Sequence, residues 1–144
     1  MIGIDTNLLV YAFNIPDSRH AIAKQTLETL LTQKEQVAIT DIVMFEFISQ
    51  ATRIGSPGVS PSAAQAVAAL ENWLSAPNVQ VIRNSPKNFA TFSRLCKETG
   101  RTGQKIYDAQ IAAICIDNGV TEFITNDKGF EKFTELRIRN PIAA

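Results

Sequence analysis

Four acidic residues stand where apolar segments end. Asp5 closes Ile2-Gly-Ile-Asp5, Glu46 lies between Phe45 and Phe47, Asp108 follows Tyr107, and Asp127 follows Ile124-Thr-Asn126. A carboxylate held against apolar surroundings is costly unless a cation or hydrogen bonds compensate it. Taken singly, Asp5 and Asp108 read more readily as helix caps, whereas Glu46 resists that reading because buried glutamate is rare unless paired. Taken together, the four look like the oxygen ligands of a divalent ion. Hard carboxylate oxygens without histidine or thiolate partners suit Mg²⁺ or Mn²⁺ better than zinc, and ions of that kind serve phosphodiester hydrolysis.

Other chemistries find little support. His20 is the only histidine, which excludes any site needing two, and no Gly-x-Ser-x-Gly elbow supplies a serine nucleophile. Cys96 and Cys115 fall in helical apolar patterns without the close spacing of a zinc or redox motif, and read as buried free thiols. The net charge is zero, against a protein that coats nucleic acid by bulk electrostatics. The charge is uneven, however: from Arg83 onward ten Lys and Arg face seven Asp and Glu, and before it four face seven. Arg101, Lys105 and Lys128 lie nearest the acids in sequence and are candidates for phosphate contacts, a solvated loop cation being an equal alternative for each.

The acids need elements to bring them together. With 144 residues, 45% hydrophobic and 19% charged, the chain reads as one domain spanning 1–144 that buries roughly 70% of its unfolded surface. No apolar run nears the ~20 residues of a membrane span, and the opening Met1-Ile-Gly-Ile-Asp5 has no secretory pattern, so a soluble cytoplasmic protein is expected. Ile2–Asp5, Val37–Thr40, Val79–Ile82 and Thr121–Thr125 read as strands, with a fifth at Glu135–Arg139. Helices are expected to follow Asp5, to open at Asp17–His20, to be capped by Thr40 or Asp41 and run to Gly55, to follow Ser60-Pro-Ser62 to about Ala76, to open at Ser85-Pro86 and end at Gly100, and to carry Ile106 to Gly119. Gly55–Pro61 has the composition of a mobile loop.

Strands alternating with helices predict an α/β fold: a three-layer, doubly wound, mostly parallel sheet of about five strands with helices on both faces. Such sheets bind ligands outside the carboxyl ends of the strands, where strand order reverses. Asp5 and Asp127 end strands, Glu46 lies within two turns of the start of a helix, and Asp108 is near a helix start that favours an anion. One cleft can hold all four.

These motifs, Ile4-Asp-Thr-Asn-Leu-Leu9, Glu46, Asp108-Ala-Gln-Ile-Ala-Ala113 and Thr125-Asn-Asp-Lys-Gly-Phe130, in this order and over nearly the whole chain, resemble the PIN-domain family and, within it, the VapC-type toxins of bacterial toxin-antitoxin pairs. The resemblance implies a PIN-like fold and an endoribonuclease with Asp5, Glu46, Asp108 and Asp127 around Mg²⁺ or Mn²⁺. Thr6, Asn7, Thr125 and Asn126 would be polar neighbours, a role that strand-end turns explain about as well. Some relatives carry a further acid where this chain has Gly129, leaving one or two metal ions open. It also implies an RNA substrate, a VapB-like antitoxin and a homodimer. The helices between Ser60 and Cys96 suit a dimer contact, with Ala63, Ala64, Ala66, Ala68 and Ala69 allowing close approach and Trp73, Phe89 and Phe92 as apolar anchors. The rival readings are a nuclease for another nucleic acid, a catalytically silent module of the same fold, and a receiver domain, which would need an acidic pair where Thr6-Asn7 follow Asp5. A fourth, a KH-type loop at Gly100-Arg-Thr-Gly103, lacks the right order of strands.

Overall fold

Every strand of the sheet runs parallel to its neighbours, in the order β3-β2-β1-β4-β5. This computed structural model describes residues 1–56 and 58–143. The elements run β1 (Ile2–Ile4), α1 (Thr6–Phe13), α2 (His20–Thr32), β2 (Val37–Thr40), α3 (Asp41–Ala51), α4 (Ala63–Leu74), β3 (Val79–Ile82), α5 (Phe89–Thr99), α6 (Ile106–Asp117), β4 (Glu122–Ile124) and β5 (Arg137–Arg139). Short 3-10 turns precede α5 and α6, and another, Lys128–Lys132, lies between β4 and β5.

The chain starts at the centre of the sheet, steps outward through β2 to β3, then crosses back to β4 beside β1. Parallel crossovers are right-handed, so this reversal puts α1–α4 on one face and α5–α6 on the other. The packing agrees: α1 contacts α2 and α3, α3 contacts α4, and α5 contacts α6. The switch point falls between β1 and β2 on one side and β4 on the other, with Asp5 at its edge.

The central strands read as continuous apolar runs because both faces are covered. Ile2, Gly3 and Ile4 are all buried, as are all four residues of β2. Beneath α1, α3 and α4, Phe47 takes Phe13 edge-on at 5.6 Å and Trp73 at 5.2 Å. Trp73, expected as an outward dimer anchor, is half-buried with one side against Phe47, while Ala66 is fully buried. A second aromatic cluster, Phe123, Phe130 and Phe133, fixes the Lys128–Lys132 turn beside β4. Cys115 is buried and Cys96 half-buried, both as free thiols.

The strands match expectation to within two residues at either end, and the helices differ mainly where they stop. α3 ends at Ala51 rather than running to Gly55, and Thr52 and Arg53 turn away beyond it. Of the loop expected at 55–61, Pro57 lies outside the described residues. Among the described residues no helix is long and apolar enough to cross a membrane.

Gly3 shows how tightly β1 is held. A Cβ there would meet Phe123 Cδ1 at 2.7 Å and Val120 Cγ1 at 3.2 Å, and Phe123 is fully buried with nowhere to retreat. Gly3→Ala should therefore cost about 1–3 kcal/mol, the usual range for overpacking a core. Urea unfolding of the two proteins measures it; equal midpoints would mean the sheet yields at its centre.

Candidate metal centre at the carboxyl edge of the sheet

Asp5 is the deepest of the four acids, with 6% of its surface exposed. It caps α1: Oδ1 accepts the Thr6 amide at 2.8 Å. Oδ2 accepts the Thr125 hydroxyl at 2.6 Å and, more loosely, the Asn7 amide at 3.4 Å. The cap reading and the ligand reading are thus both satisfied by one side chain, because capping uses one carboxylate oxygen and leaves the other toward β4. Burial pushes the Asp5 carboxyl up to about 7, against the Thr125 and Thr6 hydrogen bonds that lower it, with the Asp108 and Glu46 charges adding to the rise.

Glu46 projects from the second turn of α3 and Asp108 from the first turn of α6, each half-buried. The Glu46 carboxyl is raised by burial and by Asp108. Asp108 is raised by burial and by Asp127, against the pull of Arg101 and Lys105. Desolvation and like charge therefore win even though Arg101 Nη1 lies 3.4 Å from Asp108 Oδ2. Asp127 is exposed and accepts the Gly129 amide at 2.8 Å, capping the Lys128–Lys132 turn. Asp108 adds to the rise at both Asp5 and Glu46, and Asp127 adds to the rise at Asp108, so the acids face one another pair by pair along this edge of the sheet.

The polar neighbours form one network between β1 and β4. Asn7 donates to Thr125 Oγ1 at 3.3 Å and accepts the Asn126 amide, also at 3.3 Å. Thr125 Oγ1 accepts the Asp127 amide at 3.0 Å, and the Asn126 side chain reaches the Tyr11 hydroxyl at 3.1 Å. Thr6 Oγ1 is buried without a hydrogen-bond partner.

Of the three basic candidates, Lys105 and Lys128 are exposed. Arg101 departs from the expectation of a solvated loop cation available to phosphate. Its side chain is 4% exposed, faces Asp108, donates to the Gly129 carbonyl, and lies over the Phe133 ring with 5.1 Å to the centroid. Sequence reasoning missed this burial, since Gly100-Arg-Thr-Gly103 has the composition of an open turn. The one usable signal was Gly129, whose missing side chain makes the room.

A hard divalent cation suits this donor set. The donors are carboxylate oxygens with no histidine or thiolate among them, and the Thr6 hydroxyl, buried without a partner, is next in the chain to the deepest of them. Among the described residues no three acid, histidine or cysteine side chains form a group that could by themselves hold a metal ion.

Next to Glu46 and Asp108 opens a cavity of about 660 Å³, lined by Ile42, Phe45, Ser49, Gln104, Lys105 and Tyr107. Phe45 and Tyr107 are exposed there, at 69% and 56%.

The PIN domain family model matches residues 2–136. The chain is 34% identical over 145 aligned positions to VapC ribonuclease Mb2897 of Mycobacterium bovis, covering 99% of this chain and 96% of that protein. Among solved structures, the crystal structure of VapBC2 from Rickettsia felis bound to a promoter DNA fragment superposes with a TM-score of 0.70 at 24% identity, over 97% of this chain and 98% of that one. That of Mycobacterium tuberculosis VapC20, a Sarcin-Ricin loop cleaving toxin, gives 0.69 at 22% identity, over 91% and 93%.

The raised Asp5 carboxyl has a consequence for metal-free protein. Folded, it keeps its proton up to about pH 7, whereas unfolded it loses it near the ordinary value of 3.8. The folded state thus binds more protons between those values, so stability falls as pH rises from about 4 to about 7 and levels off above. The loss is on the order of 4 kcal/mol. In EDTA, urea midpoints of the wild type should fall across this window, while Asp5→Asn, neutral throughout, should keep only the smaller slope of Glu46 and Asp108. Parallel curves for the two proteins would show that Asp5 is ionised at all these pH values.

Proposed function

The chain belongs to the PIN-domain family, and from that premise we propose that it is a metal-dependent endoribonuclease, the toxin of a type II toxin-antitoxin pair. The observation that carries this reading is the family match over residues 2–136, which takes in all four motif acids, Asp5, Glu46, Asp108 and Asp127. The ribonuclease name of the 34% identical relative supports it.

In this reading Asp5, Glu46, Asp108 and Asp127 hold Mg²⁺ or Mn²⁺. When bound, the ion supplies an activated water for attack on phosphorus and offsets charge on the leaving oxygen. The protein's own part is positioning. Thr125 and the Thr6 amide fix the Asp5 carboxylate, and Asn7 and Asn126 tie that strand end to β4 through their hydrogen bonds. Lys105, which lines the cavity beside Glu46 and Asp108, and Lys128, next in the chain to Asp127, are both exposed and in this reading meet phosphates. Phe45 and Tyr107 offer ring faces beside Glu46 and Asp108, and unpaired bases stack on such faces. That favours single-stranded RNA over duplex.

A VapB-like antitoxin is the partner of this reading, supported by the likeness to the VapBC2 structure. The reading also includes a homodimer, supported by the solvent-facing Phe89 on α5, 68% exposed, next to Phe92.

Purified protein should cleave single-stranded RNA with Mg²⁺ or Mn²⁺, stop in EDTA, and lose activity with Asp5→Asn, at least a hundredfold if the carboxylate holds the ion. Single-stranded DNA serves as the parallel substrate, and light scattering of the same sample should return twice the chain mass. Cleavage by the variant equal to wild type, or persisting in EDTA, would reject the metal centre. Preference for DNA would reject the ribonuclease, and a monomer mass would reject the dimer.

A further inference from the structure

We propose that Arg101 is a built-in cation of the acid cluster that takes the place of a second metal ion, so that each chain binds one divalent ion. The inference rests on the metal-dependent reading above and adds the number of ions, which the motifs left open.

Three observations meet at this side chain. First, the Arg101 guanidinium is almost wholly buried yet lies within the acidic cleft: Nη1 faces Asp108 Oδ2, Nη2 donates to the Gly129 carbonyl, and Phe133 lies under its plane. A buried arginine cannot shed its charge, and burying it is costly unless an acid answers it. Its permanent charge is thus fixed on the Asp108 side of the cluster. Second, Nε is buried with no partner. The guanidinium is held less well than its donors would allow, as expected of a group whose position the acid and the carbonyl set at the expense of its third donor edge.

Third, the space is reserved. A Cβ at position 129 would come within 2.6 Å of Arg101 Nη2, 3.2 Å of Nη1 and 3.0 Å of Asp127 Oδ1. Arg101 therefore fills the room that a side chain at position 129 would use. A second cation lodged on the Arg101 side of Asp108 would displace this guanidinium or sit against its like charge. The remaining face of Asp108 is left, with Asp5, Glu46 and Asp127, for a single ion. Arg101 is a positioning residue here: it acts by occupying one side of the site.

The test is the amount of Mn²⁺ bound at saturation by the purified full chain at pH 7.5, read from the electron paramagnetic resonance signal of the free ion. Wild type should bind one Mn²⁺ per chain. Arg101→Gln, which removes the charge and keeps a planar polar end, should bind two, whereas Arg101→Lys should stay at one. A purely structural arginine would make both variants alike. Two ions on wild type overturn the proposal, even if Arg101→Gln fails to fold. One ion on wild type and on folded Arg101→Gln also overturns it. No ion on wild type overturns the metal-dependent reading itself, and this inference with it.

Discussion

A carboxylate buried at the end of the central strand is the constraint around which this structure is arranged. Asp5 sits where β1 meets α1, below the two strands between which the chain changes direction, and it cannot be hydrated there. Its oxygens are therefore answered by the Thr6 amide, the Thr125 hydroxyl and Asn7. The bond from Thr125 joins residues 120 positions apart, coupling the first strand of the chain to its fourth. Neutral donors do not offset a buried charge fully, and the other acids facing the cleft make the deficit larger. The Asp5 carboxyl is raised in consequence, and the aromatic cluster of Phe123, Phe130 and Phe133 packs beside that edge.

Much of this was legible in the residues because local and tertiary signals agree. Val37–Thr40 and Val79–Ile82 are bounded by turn residues and uniformly apolar or alternating, and both are strands over those residues. Ser62 with Gln65 three residues on is a capping box, and α4 starts there. Gly100 takes a left-handed conformation at the end of α5, as glycine at that position should. The direction of the chain reversal was not written in any segment. It follows from which strand finds a neighbour beside β1, a long-range choice. The extent of α3 differs as well: Thr52 and Arg53 are compatible with helix yet form a turn beyond Ala51.

The candidate site divides along the same line. Asp5, Glu46, Asp108 and Asp127 are recognisable as acids next to apolar runs, and the topology gathers them without further help. What the sequence hides is the state of each. Asp127 is exposed and caps a turn, while Asp5 is buried. Arg101 lies in a glycine-flanked polar loop that resembles any solvated turn, yet it turns inward because Gly129, 28 residues later, leaves it space. Local composition cannot report a vacancy created by a distant glycine. Trp73 shows the converse: an aromatic on an alanine-rich helix reads as a surface anchor, yet one side of it packs against Phe47.

In the metal-dependent reading, the buried Asp5 carboxyl keeps its proton until a cation replaces it. Proton release on ion binding tests this most directly. Mg²⁺ is added to metal-free protein in weak buffer and the base needed to restore pH is titrated. At pH 6, below the raised Asp5 value of about 7, saturation should release about one proton per chain, with the yield falling toward zero by pH 9. Saturating binding at pH 6 without proton release would mean that the acids are already ionised, contradicting the claim that burial and mutual repulsion shape the site.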